Sequence, residues 1–191
     1  NLRKFSVREN RLENIEGLCS SLTFLDLSDN DIEKVNDWKL NEKHIKALEN
    51  LQILKLSKNF IDEFSSDTFS FMANLTEVYL DDNNLTSVPE SIFQNNQNLE
   101  VIDLRHNRIT VCTLRHFQGL TRLRKLDLQD NQITTLDEHM TDYIRDSLSI
   151  DEFGIIDNPL TCFCTQDHVQ RFIQNTTKVP RARDVICAGQ R

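Results

Sequence analysis

The sequence predicts an α/β solenoid, a coil that lays one short strand per turn side by side into a parallel sheet. Three observations carry this. An asparagine recurs along the 191-residue chain at Asn10, Asn30, Asn59, Asn83, Asn107, Asn131 and Asn158, each with apolar residues eight, five and three positions before it. Those triplets are Leu2/Phe5/Val7, Leu22/Leu25/Leu27, Leu51/Leu54/Leu56, Leu75/Val78/Leu80, Leu99/Ile102/Leu104, Leu123/Leu126/Leu128 and Ile150/Phe153/Ile155. The last two members of each flank one residue, as in Leu126-Asp127-Leu128, which is the period-two alternation of a strand with one buried face. Finally, Phe69, Phe93 and Phe117 each stand ten residues after an asparagine, so their rings recur every 24 residues and form a second column of core.

Each element follows from its residues. One such strand cannot bury its own face, but neighbouring coils stack it into a sheet lining a concave wall. The asparagine falls where the chain turns away from the strand. Its carboxamide can donate to and accept from backbone groups that would each cost about 1 to 3 kcal/mol if buried unpaired. Anchor spacings of 20, 29, 24, 24, 24 and 27 residues make the middle regular and both flanks irregular. The longer second repeat inserts residues 36–48 on the convex side, with a helical turn expected through Glu42 to Leu48 and Trp38 as a plug over the insertion. The pattern Leu-x-x-Leu-x-Leu-x-x-Asn-x-Leu resembles the leucine-rich repeat. That resemblance implies a right-handed horseshoe, with seven repeats over residues 1–160 and a C-terminal cap over residues 161–191.

Composition narrows the function. With 38% apolar content the chain reads as one elongated domain, and a formal charge of −8 disfavours a general polyanion-binding surface. No apolar run approaches the roughly 20 residues that cross a bilayer, and the first residues lack the hydrophobic stretch of a signal peptide. The chain opens directly on a repeat, so Leu2, Phe5 and Val7 are expected to present a bare hydrophobic end, as in the C-terminal piece of a longer protein. No nucleophile motif, phosphate loop or paired-acid constellation occurs, so an enzyme is not expected, nor any cofactor.

The run Asn158-Pro159-Leu160-Thr161-Cys162-Phe163-Cys164, followed by an amphipathic segment and Cys187, resembles the cysteine-rich cap of extracellular leucine-rich-repeat proteins. The resemblance implies a disulfide between Cys162 and Cys187, leaves Cys164 with a partner beyond Arg191, and lays a short helix from about Asp167 to Asn175, bearing Phe172 and Ile173, over the last coil. A zinc site from Cys162, Cys164, Cys187 and His168 fits poorly, because paired zinc-binding cysteines are usually two to four residues apart. Cys19 and Cys112 are expected to be buried free thiols.

Repeats of 24 residues with a phenylalanine column, irregular long repeats and this cap together resemble the membrane-proximal end of a Toll-like receptor ectodomain. The same motifs occur in secreted adhesion proteins, axon-guidance proteins and variable lymphocyte receptors. The resemblance implies an innate immune receptor that binds a microbial ligand or protein partner, forms a homo- or heterodimer, and is anchored by a single membrane span with its horseshoe at the cell surface or in an endosome. A secreted or cell-surface adhesion or guidance module, or a binder like the variable lymphocyte receptors, is the alternative.

Site residues follow from position. The sequons at Asn74, Asn84 and Asn175 agree with secretion, and a glycan on Asn84 would sit near the turn beside the concave sheet. On that face Phe24, Ile53 and Tyr79 are expected to form a small apolar patch for a partner. Asp103 and Asp127 are expected to be stacked but solvated. Arg105, His106, Arg108, Arg115, His116, Arg122, Arg124 and Lys125 give one basic region, spread over edge, turn and convex side, so nucleic acid is not the expected partner.

Overall fold

A computed structural model describes residues 2–13, 21–35, 48–161 and 167–185. Cys19, Trp38, the expected helical turn before Leu48, and Cys162, Cys164 and Cys187 lie outside the described residues. Among the described residues seven three-residue strands pair in chain order into one parallel sheet: β1 Lys4–Ser6, β2 Phe24–Asp26, β3 Ile53–Lys55, β4 Glu77–Tyr79, β5 Val101–Asp103, β6 Lys125–Asp127 and β7 Glu152–Gly154. Equivalent repeat positions face each other throughout, so Phe24 pairs with Ile53 and Asp103 with Asp127. The repeat sets this register. Shifting one coil by a residue would turn its leucines out of the core.

The anchors hold consecutive coils together. Asn107 donates through Nδ2 to Leu80 O of the preceding coil at 3.0 Å and to its own Leu104 O at 3.0 Å, while its Oδ1 accepts from Leu85 N at 3.1 Å. Asn30, Asn59, Asn83, Asn131 and Asn158 repeat the arrangement, and all six are buried. Asn10, beside the edge strand β1, differs from these six. It is exposed, and among the described residues its carboxamide bonds only to Arg8 O, at 2.7 Å.

A feature of the turn escaped the reading of the sequence. The residue before every anchor, namely Glu9, Asp29, Lys58, Asp82, His106, Asp130 and Asp157, takes a left-handed backbone with φ between 52° and 57°. For a residue with a Cβ this costs roughly 1–2 kcal/mol, which the hydrogen bonds of the six buried anchors offset in their coils. Aspartate and histidine tolerate the conformation better than most, and they hold five of the seven places. Their prevalence was the available signal.

Behind the sheet the ring column forms as expected. Phe69 and Phe93 stack at 5.6 Å and Phe93 and Phe117 at 6.5 Å, all buried. In the next coil helix α1, Glu138–Asp146, takes over with Met140, Thr141 and Ile144 buried, its N-terminus capped by Asp137 accepting from Met140 N. Asn96, fully buried on the convex side, replaces an apolar residue and donates to Phe69 O and Met72 O of the coil before. Cys112 is a free buried thiol, its ionisation pushed up by burial.

At the far end helix α2, Asp167–Asn175, occupies the span expected of it. It buries Val169, Phe172 and Ile173, and Phe172 meets Phe153 of β7 edge-on at 6.1 Å. Beyond it Lys178 O accepts from Phe153 N at 2.7 Å, so the chain covers the last strand. The Lys178 ammonium donates to Ile144 O, Arg145 O and Ser147 O at the C-terminal end of α1, where the helix dipole favours a cation. At the opposite end Leu2 is 46% exposed and Phe5 half-buried, a hydrophobic edge with no such cover among the described residues.

Candidate functional site on the concave face

The concave wall has two outward columns, the first and third residues of each strand. In the first half Phe24 and Ile53 are half-buried neighbours, as expected. Tyr79, however, pairs with Lys55 rather than with either of them. The Lys55 ammonium lies 5.9 Å from the Phe24 ring centre and 4.9 Å from that of Tyr79, and Lys4 stands 5.9 Å from Phe24 on the other side. The expected apolar patch is therefore corrected to an alternating one, cation between rings. The third strand residue put a lysine where a purely apolar reading looked only at its neighbours. The Tyr79 hydroxyl donates to Glu77 Oε2 at 2.8 Å, and burial together with that carboxylate pushes its ionisation up to about 12.

The second half is built differently. Asp103 and Asp127 are 2% and 5% exposed, which overturns the expectation that they are solvated. Each is held from below: Asp103 Oδ1 accepts from Arg105 N at 3.3 Å and Asp127 Oδ1 from Gln129 N at 3.2 Å, with Asp26 and Ser28 N forming the same turn bond in coil two. Aspartate at this place is a turn residue as much as a surface one. Asp127 also fills the space beside Gly154, where a Cβ would meet its Oδ1 at 2.2 Å. Burial first, then the Asp81 and Asp127 charges, raise the Asp103 carboxyl to about 6 against the pull of Arg105.

The basic region does not converge. Arg105 pairs with Asp103 at 3.1 Å, His106 with Asp130 at 2.8 Å, Arg115 with Glu90 at 3.5 Å, Arg124 with Asp151 at 3.3 Å and Lys125 with Glu152 at 2.7 Å. Arg122 donates to Asn98, and His116 is buried in a convex turn where it meets Thr113. Arg108, His116 and Arg122 have no carboxylate within ion-pair reach among the described residues, and Arg108 is exposed on the flank after the turn. Nearer the start Arg8 and Lys58 share Asp29. Lys4 and Lys55 differ from these paired cations of the sheet and its turns: among the described residues, neither reaches a carboxylate. No three His, Cys, Asp or Glu side chains of the described residues gather as a metal ion would need.

A family profile described as leucine rich repeat matches residues 35–83 and 73–133, and a second of the same description matches residues 18–35. The chain belongs to the leucine-rich-repeat family. The crystal structure of an internalin from Listeria monocytogenes superposes with a TM-score of 0.69 at 18% identity, over 94% of this chain and 46% of that one. At that identity the likeness is one of fold, and this chain spans less than half the length of the internalin. No curated protein matches the chain. The leucine-rich-repeat solenoid is typically a scaffold for binding other proteins, with an open sheet rather than a closed catalytic pocket. Among the described residues no helix is long and apolar enough to cross a membrane.

The three sequon asparagines fall in different places. Asn74 is exposed at the convex end of coil three and its Nδ2 donates to Glu49 O at 2.9 Å. Asn175 ends α2 with its Nδ2 on Arg171 O at 2.8 Å. Asn84 follows anchor Asn83, on the flank where the chain leaves the turn.

Proposed function

We propose that this leucine-rich-repeat chain is the recognition part of an extracellular receptor of the Toll-like, innate immune kind, and that a protein partner docks on the first half of its concave sheet. The observation that carries the location is the contrast in cations. Arg8, Lys58, Arg105, His106 and Lys125 are each satisfied by a carboxylate, whereas Lys4 and Lys55 rest on the faces of Phe24 and Tyr79. A cation over a ring at an exposed site gains only about 0.5–1 kcal/mol, so these two ammonium groups remain available to a partner carboxylate. Phe24 and Ile53 beside them offer the apolar area that an anchor side chain would cover. The helix α2 over the last coil and the sequons support the extracellular setting.

The test uses the full-length protein at the cell surface. Lys55→Glu and Phe24→Ser should each weaken partner capture and receptor dimerisation about tenfold or more, the measure of a contact near 1.4 kcal/mol, while Lys125→Glu on the other half leaves them unchanged. Equal loss from all three variants, or from none, would remove the docking site from this half. Capture without dimerisation would favour the adhesion module over the receptor. Non-reducing peptide mapping tests the compartment: a Cys162–Cys187 link is expected, and reduced thiols in the native-source protein would count against an oxidising environment.

A further inference from the structure

The flank that follows each turn is a second rail of the solenoid. Phe60 N donates to Ile32 O at 3.0 Å, Asn84 N to Ile61 O at 2.9 Å, Arg108 N to Leu85 O at 2.8 Å and Gln132 N to Ile109 O at 2.9 Å. Residues on this rail alternate. The anchors Asn59, Asn83 and Asn107 and the apolar Ile61, Leu85 and Ile109 are buried, so the residue between them points outward. Phe60, Asn84 and Arg108 thus hold the same register on successive coils, with side chains about 5 Å apart. Phe60 is 52% exposed and is the one exposed phenylalanine among the described residues.

Its neighbour Asn84 begins the sequon Asn84-Leu85-Thr86. Leu85 is fully buried and Thr86 exposed, so the Asn84 carboxamide and the Thr86 hydroxyl share the outward face. Unlike Asn74 and Asn175, whose amide nitrogens are bonded to backbone carbonyls, Asn84 has no side-chain hydrogen bond among the described residues. Sequon, orientation, an uncommitted amide and an exposed aromatic one coil away coincide at this one place.

We propose that Asn84 is an N-glycosylation site whose first sugar lies against the Phe60 ring. The proposal rests on the extracellular reading above. The sugar donor is an oligosaccharide on a lipid pyrophosphate, delivered by a transferase of the secretory pathway. Asn84 Nδ2 forms the bond to the anomeric carbon as the bond from that carbon to the pyrophosphate oxygen breaks; the amide proton passes to a base of the transferase and the lipid pyrophosphate leaves. The apolar face of the sugar then covers Phe60, removing from water a ring that the fold leaves bare. The glycan stands on a rigid, backbone-bonded rail and shields the flank after the turn, leaving Lys4, Phe24, Ile53 and Lys55 on the early concave strands open to a partner.

The experiment secretes the chain from a glycosylating cell behind a cleavable signal sequence and reads each sequon by peptide mass spectrometry. Asn84 should carry sugar. Asn84 bare beside an occupied Asn74 or Asn175 overturns the site while sparing the extracellular reading, and all three bare in protein from its native source sinks both. Melting temperatures of wild type, Phe60→Ser, Thr86→Ala and the double variant then test the contact, with Thr86→Ala removing the sugar but keeping Asn84. Phe60→Ser should lower the melting temperature about 2–4 °C more when the sugar is present than when it is absent, the shift expected of a modest contact in a chain of this length. An equal effect in both backgrounds overturns the packing of sugar on ring.

Discussion

The first coil and the fifth obey the same pattern and live in different surroundings. In the fifth, Asn107 is buried with bonds to the coil before it, Ile102 and Leu104 are sealed on both sides, and Asp103 is 2% exposed. In the first, Asn10 is exposed, Phe5 is half-buried and Ser6, the counterpart of Asp103, lies open. The motif is identical, so the motif is not where stability resides. It resides in the interfaces between coils, which among the described residues the fifth coil has on two sides and the first on one, and nearest-neighbour stacking makes each repeat worth what its neighbours cover.

The widest separation should appear in the core. Phe93→Ala, which empties the middle of the ring column between Phe69 and Phe117, should cost about 3–5 kcal/mol. Phe5→Ala should cost about 1 kcal/mol or less, since its ring is already partly exposed. Comparable midpoints for both variants in a urea titration would break the comparison.

The pH dependence of stability comes next. Asp103 is an acid whose folded carboxyl titrates at about 6 against an ordinary 3.8. Between those values the folded chain binds more protons than the unfolded one, so stability falls as pH rises from 3.8 to 6 and stays at the lower level above that. The difference between the folded and ordinary values corresponds to ~3 kcal/mol in size. Asp103→Asn should flatten this slope and raise stability at pH 7, whereas Ser6→Asp on the wet first coil should add no slope. Urea midpoints at pH 4, 5, 6 and 7 check both, and an unchanged slope in Asp103→Asn would place the titrating group elsewhere.

The anchors sharpen the contrast at smaller scale. Asn107→Ala leaves Leu85 N without its partner and Leu80 O and Leu104 O with only their bonds from Asn83 and Asn131, and should cost about 1–3 kcal/mol. Asn10→Ala should stay within ~0.5 kcal/mol, because water replaces its single bond to Arg8 O. Smallest of all is Arg108→Ala, one residue beyond the buried anchor but exposed, with an expected change within ~0.5 kcal/mol. Should Arg108→Ala match Asn107→Ala in the same titration, the anchor ladder would lose its energetic meaning.

Much of this molecule is readable from one dimension. The strand register, the six zippered anchors, the stacking of Phe69, Phe93 and Phe117 and helix α2 at Asp167–Asn175 all fell where the pattern put them. The candidate site was legible only in part. Phe24 beside Ile53 followed from the register, but Lys55 between Phe24 and Tyr79 did not, and neither did the burial of Asp103 and Asp127. The left-handed residue before each anchor was signalled only by the aspartates and histidine at five of the seven places: its conformation is imposed by the turn, and Lys58 and Glu9 adopt it without any compositional sign.

The sequence by itself determined the coil, because a period of one strand and one asparagine per turn admits a single way of burying all its leucines at once. Only the tertiary structure decided the surface chemistry. Stacking brings together side chains 20 to 29 residues apart in the chain, and each long side chain then has several partners within reach. Lys125 could meet Asp127 at 3.8 Å or Glu152 at 2.7 Å, and Asp29 receives both Arg8 and Lys58. Cross-strand pairs of this kind differ by roughly 0.2–1 kcal/mol, so their choice is made by local packing and rotamer, information that a linear repeat does not contain.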